Sequence, residues 1–168
     1  MRRLLLATVL LLAACSTPSP APTPSPSSSG PPPPVTFTDV SRGDTDSIVK
    51  LLEFRVGKNQ AVVVEPVFYL PNPEFCERFG IPLDDKQCVY EWDTKDSQAK
   101  ITVPRADDAV FALVDHDNLQ KCLDERGAGS CEVSAKEFDD WISGGHVLIR
   151  LVTRDGVAVR LAELNLPE

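Results

Sequence analysis

Between Ser16 and Pro34 the chain places nine prolines in nineteen residues, and the rest are Ser, Thr, Ala or Gly. No residue there can enter an apolar core, so any fold must be built after Pro34. Alternating prolines from Pro18 to Pro26 and the run Pro31 to Pro34 bias the backbone to polyproline II. At about 3.1 Å per residue such a segment reaches on the order of 60 Å, which makes it a semi-rigid stalk. What remains, residues 35–168, suffices for one domain with a hydrophobic core.

That remainder carries 25 acidic and 15 basic side chains, a formal charge of −10. Phosphate backbones demand the opposite sign, so nucleic acid is excluded as a partner, and direct adhesion to anionic lipid is disfavoured. Ahead of the stalk, Arg2 and Arg3 precede an apolar run, Leu4 to Leu12, and the small residues Ala13 and Ala14. This is the organisation of an export signal, too short for a membrane span, which needs about 18 apolar residues.

Leu12-Ala13-Ala14 is followed at once by Cys15, and residues 1–15 together resemble the lipobox of bacterial lipoprotein precursors. The resemblance implies a signal peptide over residues 1–14, cleavage before Cys15, and a diacylglyceryl group on its thiol. It implies further acylation, with chains such as palmitate, on the new amino group. Two or three acyl chains anchor stably where one does not. The implied address is the extracytoplasmic face of the cell membrane, with lipid on Cys15 as the membrane contact and an envelope protein or wall component as partner.

Four further cysteines stand at 76, 88, 122 and 131. Outside the cytoplasm an even number points to disulfides, with three possible connectivities. Local pairs, Cys76 with Cys88 and Cys122 with Cys131, are favoured because each brackets one loop-like segment rich in Pro, Gly or Asp. Zinc is the competing reading, but the spacings lack the close-set ligand pairs of such sites.

Residues Ile48 to Val56 and Ala61 to Leu70 read as strands joined by a hairpin at Gly57-Lys58-Asn59-Gln60, with Pro66 implying a bulge or an edge. Pro71 to Gln87 reads as an irregular excursion. Shorter strands are predicted at Val89 to Trp92, Lys100 to Val103 and Ala109 to Val114. Ser134-Ala135-Lys136-Glu137 fits a capping box, with Val133 and Phe138 at the staple positions. Phe138, Trp141 and Ile142 then share a helical face, Trp141 reading as a core anchor, and Gly144-Gly145 ends the helix. Residues 146–164 read as a closing hairpin. A three-residue loop, Arg154-Asp155-Gly156, would set Thr153, Leu151 and Ile149 against Val157, Val159 and Leu161 in one apolar face, with Gly156 at a G1 bulge.

The expected fold is therefore mainly β with one short helix, a small β-barrel for which OB-like order is the best specific fit. From about Ile48 to Pro167 the chain also resembles small actinobacterial secreted domains of unassigned function. The residues concerned are Leu148 to Val152, Asp155-Gly156, Val157 to Leu161 and Glu163-Leu164-Asn165-Leu166-Pro167. That resemblance implies no activity.

Motifs that carry chemistry are sparse. Ser47-Ile48-Val49-Lys50 matches S-x-x-K but opens a strand and has no S-D-N or K-T-G companion. His116 and His146 are the only histidines, and no nucleophile-elbow sequence accompanies them. Asp107-Asp108, Asp115-x-Asp117 and Asp139-Asp140 supply oxygens, but an EF-hand register from Asp115 puts Gln120 where glycine belongs and Arg126 where glutamate belongs. Arg42-Gly43-Asp44 is a tripeptide that arises easily by chance. No catalytic residue, metal or cofactor is assigned.

Two readings follow. The first is a non-catalytic binding or interaction module displayed on a stalk, which requires a groove or an apolar patch. The second is a wall-directed hydrolase using Asp/Glu residues, which requires two converging carboxylates, at least one with a raised pKa. The anchor itself is testable: acyl labelling of the wild type is expected to vanish in Cys15→Ser, and equal labelling of both would refute the lipobox.

Overall fold

A computed structural model describes residues 34–55, 57, 60–145 and 148–166. Cys15, the signal segment, the stalk up to residue 33, His146 and Pro167 lie outside the described residues.

Seven strands form one mixed sheet: β1 (Thr45–Arg55), β2 (Ala61–Pro71), β3 (Trp92–Asp96), β4 (Ile101–Leu113), β5 (Cys131–Val133), β6 (Leu148–Arg154) and β7 (Val157–Glu163). Their order is β3-β2-β1-β6-β7-β4-β5, and β2 pairs also with β4, so five strands pair in a ring. The β4–β7 pairing is parallel and the others are antiparallel. Two helices interrupt the strands: α1 (Glu74–Phe79) and α2 (Ala135–Ser143).

The core follows from strand alternation. Val49 and Leu51 of β1, Val62 and Val64 of β2, Val103 and Phe111 of β4, Ile149 and Leu151 of β6, and Leu161 of β7 pack in one buried cluster. Phe138 of α2 completes it, with its ring centroid 5.6 Å from Phe54 and 5.3 Å from Phe111. The capping box at Ser134 and Glu137 is made as the sequence indicates. One charge enters this cluster: the Arg105 guanidinium lies 5.4 Å from the Phe54 ring centre and 5.0 Å from that of Phe111. Burial pulls its pKa below the ordinary arginine value, and the nearby charge of Asp107 acts in the other direction. The two ring faces supply part of the compensation that water would otherwise give.

Several expectations are corrected. Residues 100–103 and 109–114 belong to one strand, β4, which bulges outward at Asp107 and Asp108 because four residues separate Arg105 from Val110 while the paired β7 residues are Ala158 and Arg160. Val89 ends a 3-10 turn, Lys86–Val89, and the strand starts only at Trp92. The excursion after Pro71 holds helix α1, terminated by Gly80 in the left-handed region, with the Ile81 N–H bonded to Cys76 O at 2.8 Å. The bulge expected near Pro66 lies on β1 instead, where Leu52 is skipped between Leu51 and Glu53. Pro66 stands where the β1 ladder ends and the β3 ladder begins, a place that needs no N–H from it.

The closing hairpin also departs from expectation. Arg154 pairs with Val157 across a two-residue turn, Asp155-Gly156, whose φ values of 50° and 76° define type I′. That turn alone would bring Arg160 opposite Leu151. A bulge at Val159 shifts the register by one, so Leu151 faces Leu161 and the apolar face is restored. The three-residue loop addressed the right problem, register, with the wrong device.

Segment 41–44 explains the tight turn. Gly156 N–H donates to Gly43 O at 2.8 Å, Asp155 N–H to the Asp44 carboxylate at 3.0 Å, and the buried Thr153 hydroxyl to Gly43 O at 3.1 Å. The Arg42-Gly43-Asp44 tripeptide is thus part of the fold's own packing. A Cβ on Gly156 would sit 2.3 Å from Ser41 O, at a φ that already disfavours side chains. Gly156→Ala is therefore expected to cost at least about 2 kcal/mol in chemical denaturation, and a loss below about 0.5 kcal/mol, the range of an inert surface change, would contradict this packing.

Candidate functional site

Inward parity along β7 places Leu161 and then Glu163 on the core side, and Glu163 is only 3 % exposed. A carboxylate there must be bonded or neutralised. One oxygen accepts the Val114 N–H at 2.7 Å, and the other lies 2.7 Å from His116 Nε2. The carbonyl of the same residue accepts the Gly129 N–H at 2.8 Å. Glu163 thereby ties the end of β7 to the end of β4 and to the segment carrying Gly129.

Glu163 also lines an open cleft of about 210 Å³ with Trp92, Trp141, Leu148, Leu164 and Leu166. Trp92 opens β3 and stacks on Tyr69, ring centroids 5.6 Å apart. Trp141 follows Phe138 by one helical turn, centroids 5.3 Å apart, so it anchors α2 in the core as expected and presents a wall of the cleft besides. Among the described residues, two indoles, three leucines, Gly145 and one buried carboxylate line the cleft, giving apolar walls and a single anionic group. A small cleft of this make suits recognition.

Both cysteine-bracketed segments support this region. Cys76 and Cys88 stand at disulfide distance, Cα–Cα 6.1 Å, as do Cys122 and Cys131, Cα–Cα 4.9 Å. Flanking the first, Asn72 Nδ2 donates to Gln87 O and Tyr90 O, holding the chain that leads into Trp92. Leu83 inside that segment, and Val89 and Tyr90 just after it, are exposed. The second lies against the sheet through Ala112, Ala128 and Ala162, residues small enough for close approach. Gly129 is held to the same limit, since a Cβ there would meet the Leu113 backbone at 2.5 Å.

A second groove crosses the outer face of β1 and β6. Asp46 receives Arg150 Nε at 2.6 Å and also pairs with Arg126, while Arg160 reaches Gly129 O at 2.7 Å. Burial alone would raise the Asp46 carboxyl, but the Arg150 hydrogen bond and the charges of Arg150 and Arg126 outweigh it and hold it below the usual carboxylate range. These ion pairs clamp the second cysteine-bracketed segment onto the sheet.

The remaining sequence motifs are dispersed. Ser47 and Lys50, three apart on a strand, fall on opposite faces, and Lys50 pairs with Asp96. Asp115 accepts backbone N–H groups of Asp117 and Asn118 in a turn, Asp139 and Asp140 lie on α2, and Lys136 pairs with Asp140 at 2.6 Å. Among the described residues no group of three or more His, Cys, Asp or Glu side chains is arranged to hold a metal, and no helix is long and apolar enough to cross a membrane. The carboxyls with displaced pKa, Asp39, Asp46 and Glu137, all move downward: Ser41 hydrogen bonds act on Asp39, Ser134 hydrogen bonds on Glu137, and the arginines on Asp46. The Glu163 and Trp92 contributions were not read from sequence. The available signal was parity, since Glu163 follows Leu161 on the inward face of β7 and is the one acidic residue there.

No family model, curated protein or solved structure matches this chain.

Asp46 gives a pH test. A carboxyl with a lowered native pKa contributes stability above its unfolded value, near about 3.9, and loses it as pH falls through the native value. Asp46→Asn is expected to be less stable than wild type at neutral pH, with the difference shrinking below about pH 4; an unchanged difference down to about pH 2 would contradict the clamp.

Proposed function

We propose that the protein is a lipid-anchored extracytoplasmic module that binds an envelope component in the cleft between Trp92, Trp141 and Glu163, and that Cys15 carries the anchor. The observation that carries the reading is the cleft itself: apolar indole and leucine walls around one nearly buried carboxylate. The export-like start, the Cys15 motif and the proline stalk support an address at the membrane surface, with the domain held off at stalk length. The strand pairing β1-β2-β4-β7-β6, returning to β1, with a parallel β4–β7 pair and α2 between β4 and β6, supports a small barrel of OB-like order.

The hydrolase reading is less well supported. Glu163 is bonded to a histidine and a backbone amide, and the carboxyls with shifted pKa values are shifted downward rather than up.

Trp92 and Trp141 are the only tryptophans, so intrinsic emission reports on the cleft without labels. Full-length protein in uncharged micelles, titrated with fractionated envelope extract, is expected to show a saturable emission change with at least one fraction. If no fraction changes it, the binding reading fails.

A further inference from the structure

We propose that the cleft recognises an alkylammonium group, a small organic cation. This rests on the binding reading above and names its ligand class.

Three observations converge on a cation. Glu163 is a nearly buried carboxylate whose only basic side-chain partner among the described residues is His116, with no lysine or arginine on it. Its oxygens are held by the Val114 N–H and His116, so a cation in the cleft would meet the carboxylate's charge at the wall rather than through a hydrogen bond of its own. Two indoles line the cleft with it, the side chains whose faces attract cations most strongly. The domain's formal charge of −10 draws cations toward any of its clefts and repels anions.

Size and polarity separate this from a neutral sugar. At about 210 Å³ the cleft is smaller than the roughly 300–1,000 Å³ of drug-sized ligand sites. A trimethylammonium head suits it better than an oligosaccharide. The described walls are three leucines, two indoles, Gly145 and one carboxylate, and both carboxylate oxygens already accept a bond, from Val114 N–H and toward His116. Sugar hydroxyls placed against leucine would go unpaired, whereas an alkylammonium asks only for charge and apolar contact. The same chemistry can arrive as a free solute or as a lipid headgroup.

The test is a titration of full-length protein in uncharged micelles, read by tryptophan emission. Choline is compared with 3,3-dimethylbutan-1-ol, its uncharged isostere, and with N-acetylglucosamine, while a parallel arm dopes the micelles with phosphatidylcholine. A saturable response to choline at least ten times tighter than to the isostere, and weakened at least tenfold in Glu163→Gln, is expected. A response to phosphatidylcholine alone, beyond that to undoped micelles, assigns the cation to a headgroup and still supports the proposal. Equal affinity for choline and its isostere overturns it, and this comparison stands even if the variant fails to fold. A response to N-acetylglucosamine or to an envelope fraction, with none to either ammonium probe, overturns this inference and leaves the cleft as a binding site. Silence toward every probe and fraction overturns both.

Discussion

Glu163 ties three segments of the fold together through one side chain and one carbonyl. Its side chain takes the first N–H beyond β4 and the ring of His116, and its carbonyl takes Gly129. Strands β4 and β7 form the parallel pair that closes the ring, so a clamp at their shared end holds the ring where helix α2 approaches. A buried carboxylate is costly unless its oxygens are satisfied, and here each finds a donor group within 2.7 Å. The same requirement keeps the group at the wall of the Trp92–Trp141 cleft rather than out in solvent.

Register in the closing hairpin is the second constraint. An Asp-Gly type I′ turn is the tightest available, and it is favoured here because segment 41–44 lies against it within hydrogen-bonding reach. The turn would invert the faces of β7 beyond Ala158 if pairing continued evenly. One skipped residue, Val159, cures this and carries Leu161 and Glu163 to the core side. The site residue thus owes its direction to a bulge four positions upstream.

What could be read from the sequence depended on the range of the interactions. The α2 capping box, its Phe138–Trp141–Ile142 face and the first two strands are local patterns, and they were legible. The turn at Asp155-Gly156 was misread because its type is fixed by a segment more than a hundred residues earlier. Helix α1 was missed because its six residues sit between prolines and a glycine, too short for a periodic signal. The cleft was missed for the same physical reason: Trp92, Trp141 and Glu163 come from three elements that only the strand order brings together. Cys15 is the opposite case: the address we propose for it rests entirely on fifteen consecutive residues.

The proposed membrane address delivers a site organised by one buried carboxylate, and that carboxylate is held by the hydrogen bond from Val114 N–H to Glu163. Residue-resolved amide exchange tests this most directly, with the core amide of Val103 as the internal reference for global opening. In the wild type, Val114 is expected to exchange nearly as slowly as Val103 although β4 ends at Leu113. In Glu163→Ala it is expected to exchange at least tenfold faster relative to Val103. An unchanged Val114-to-Val103 ratio in the variant would contradict the claim that Glu163 holds this end of the ring.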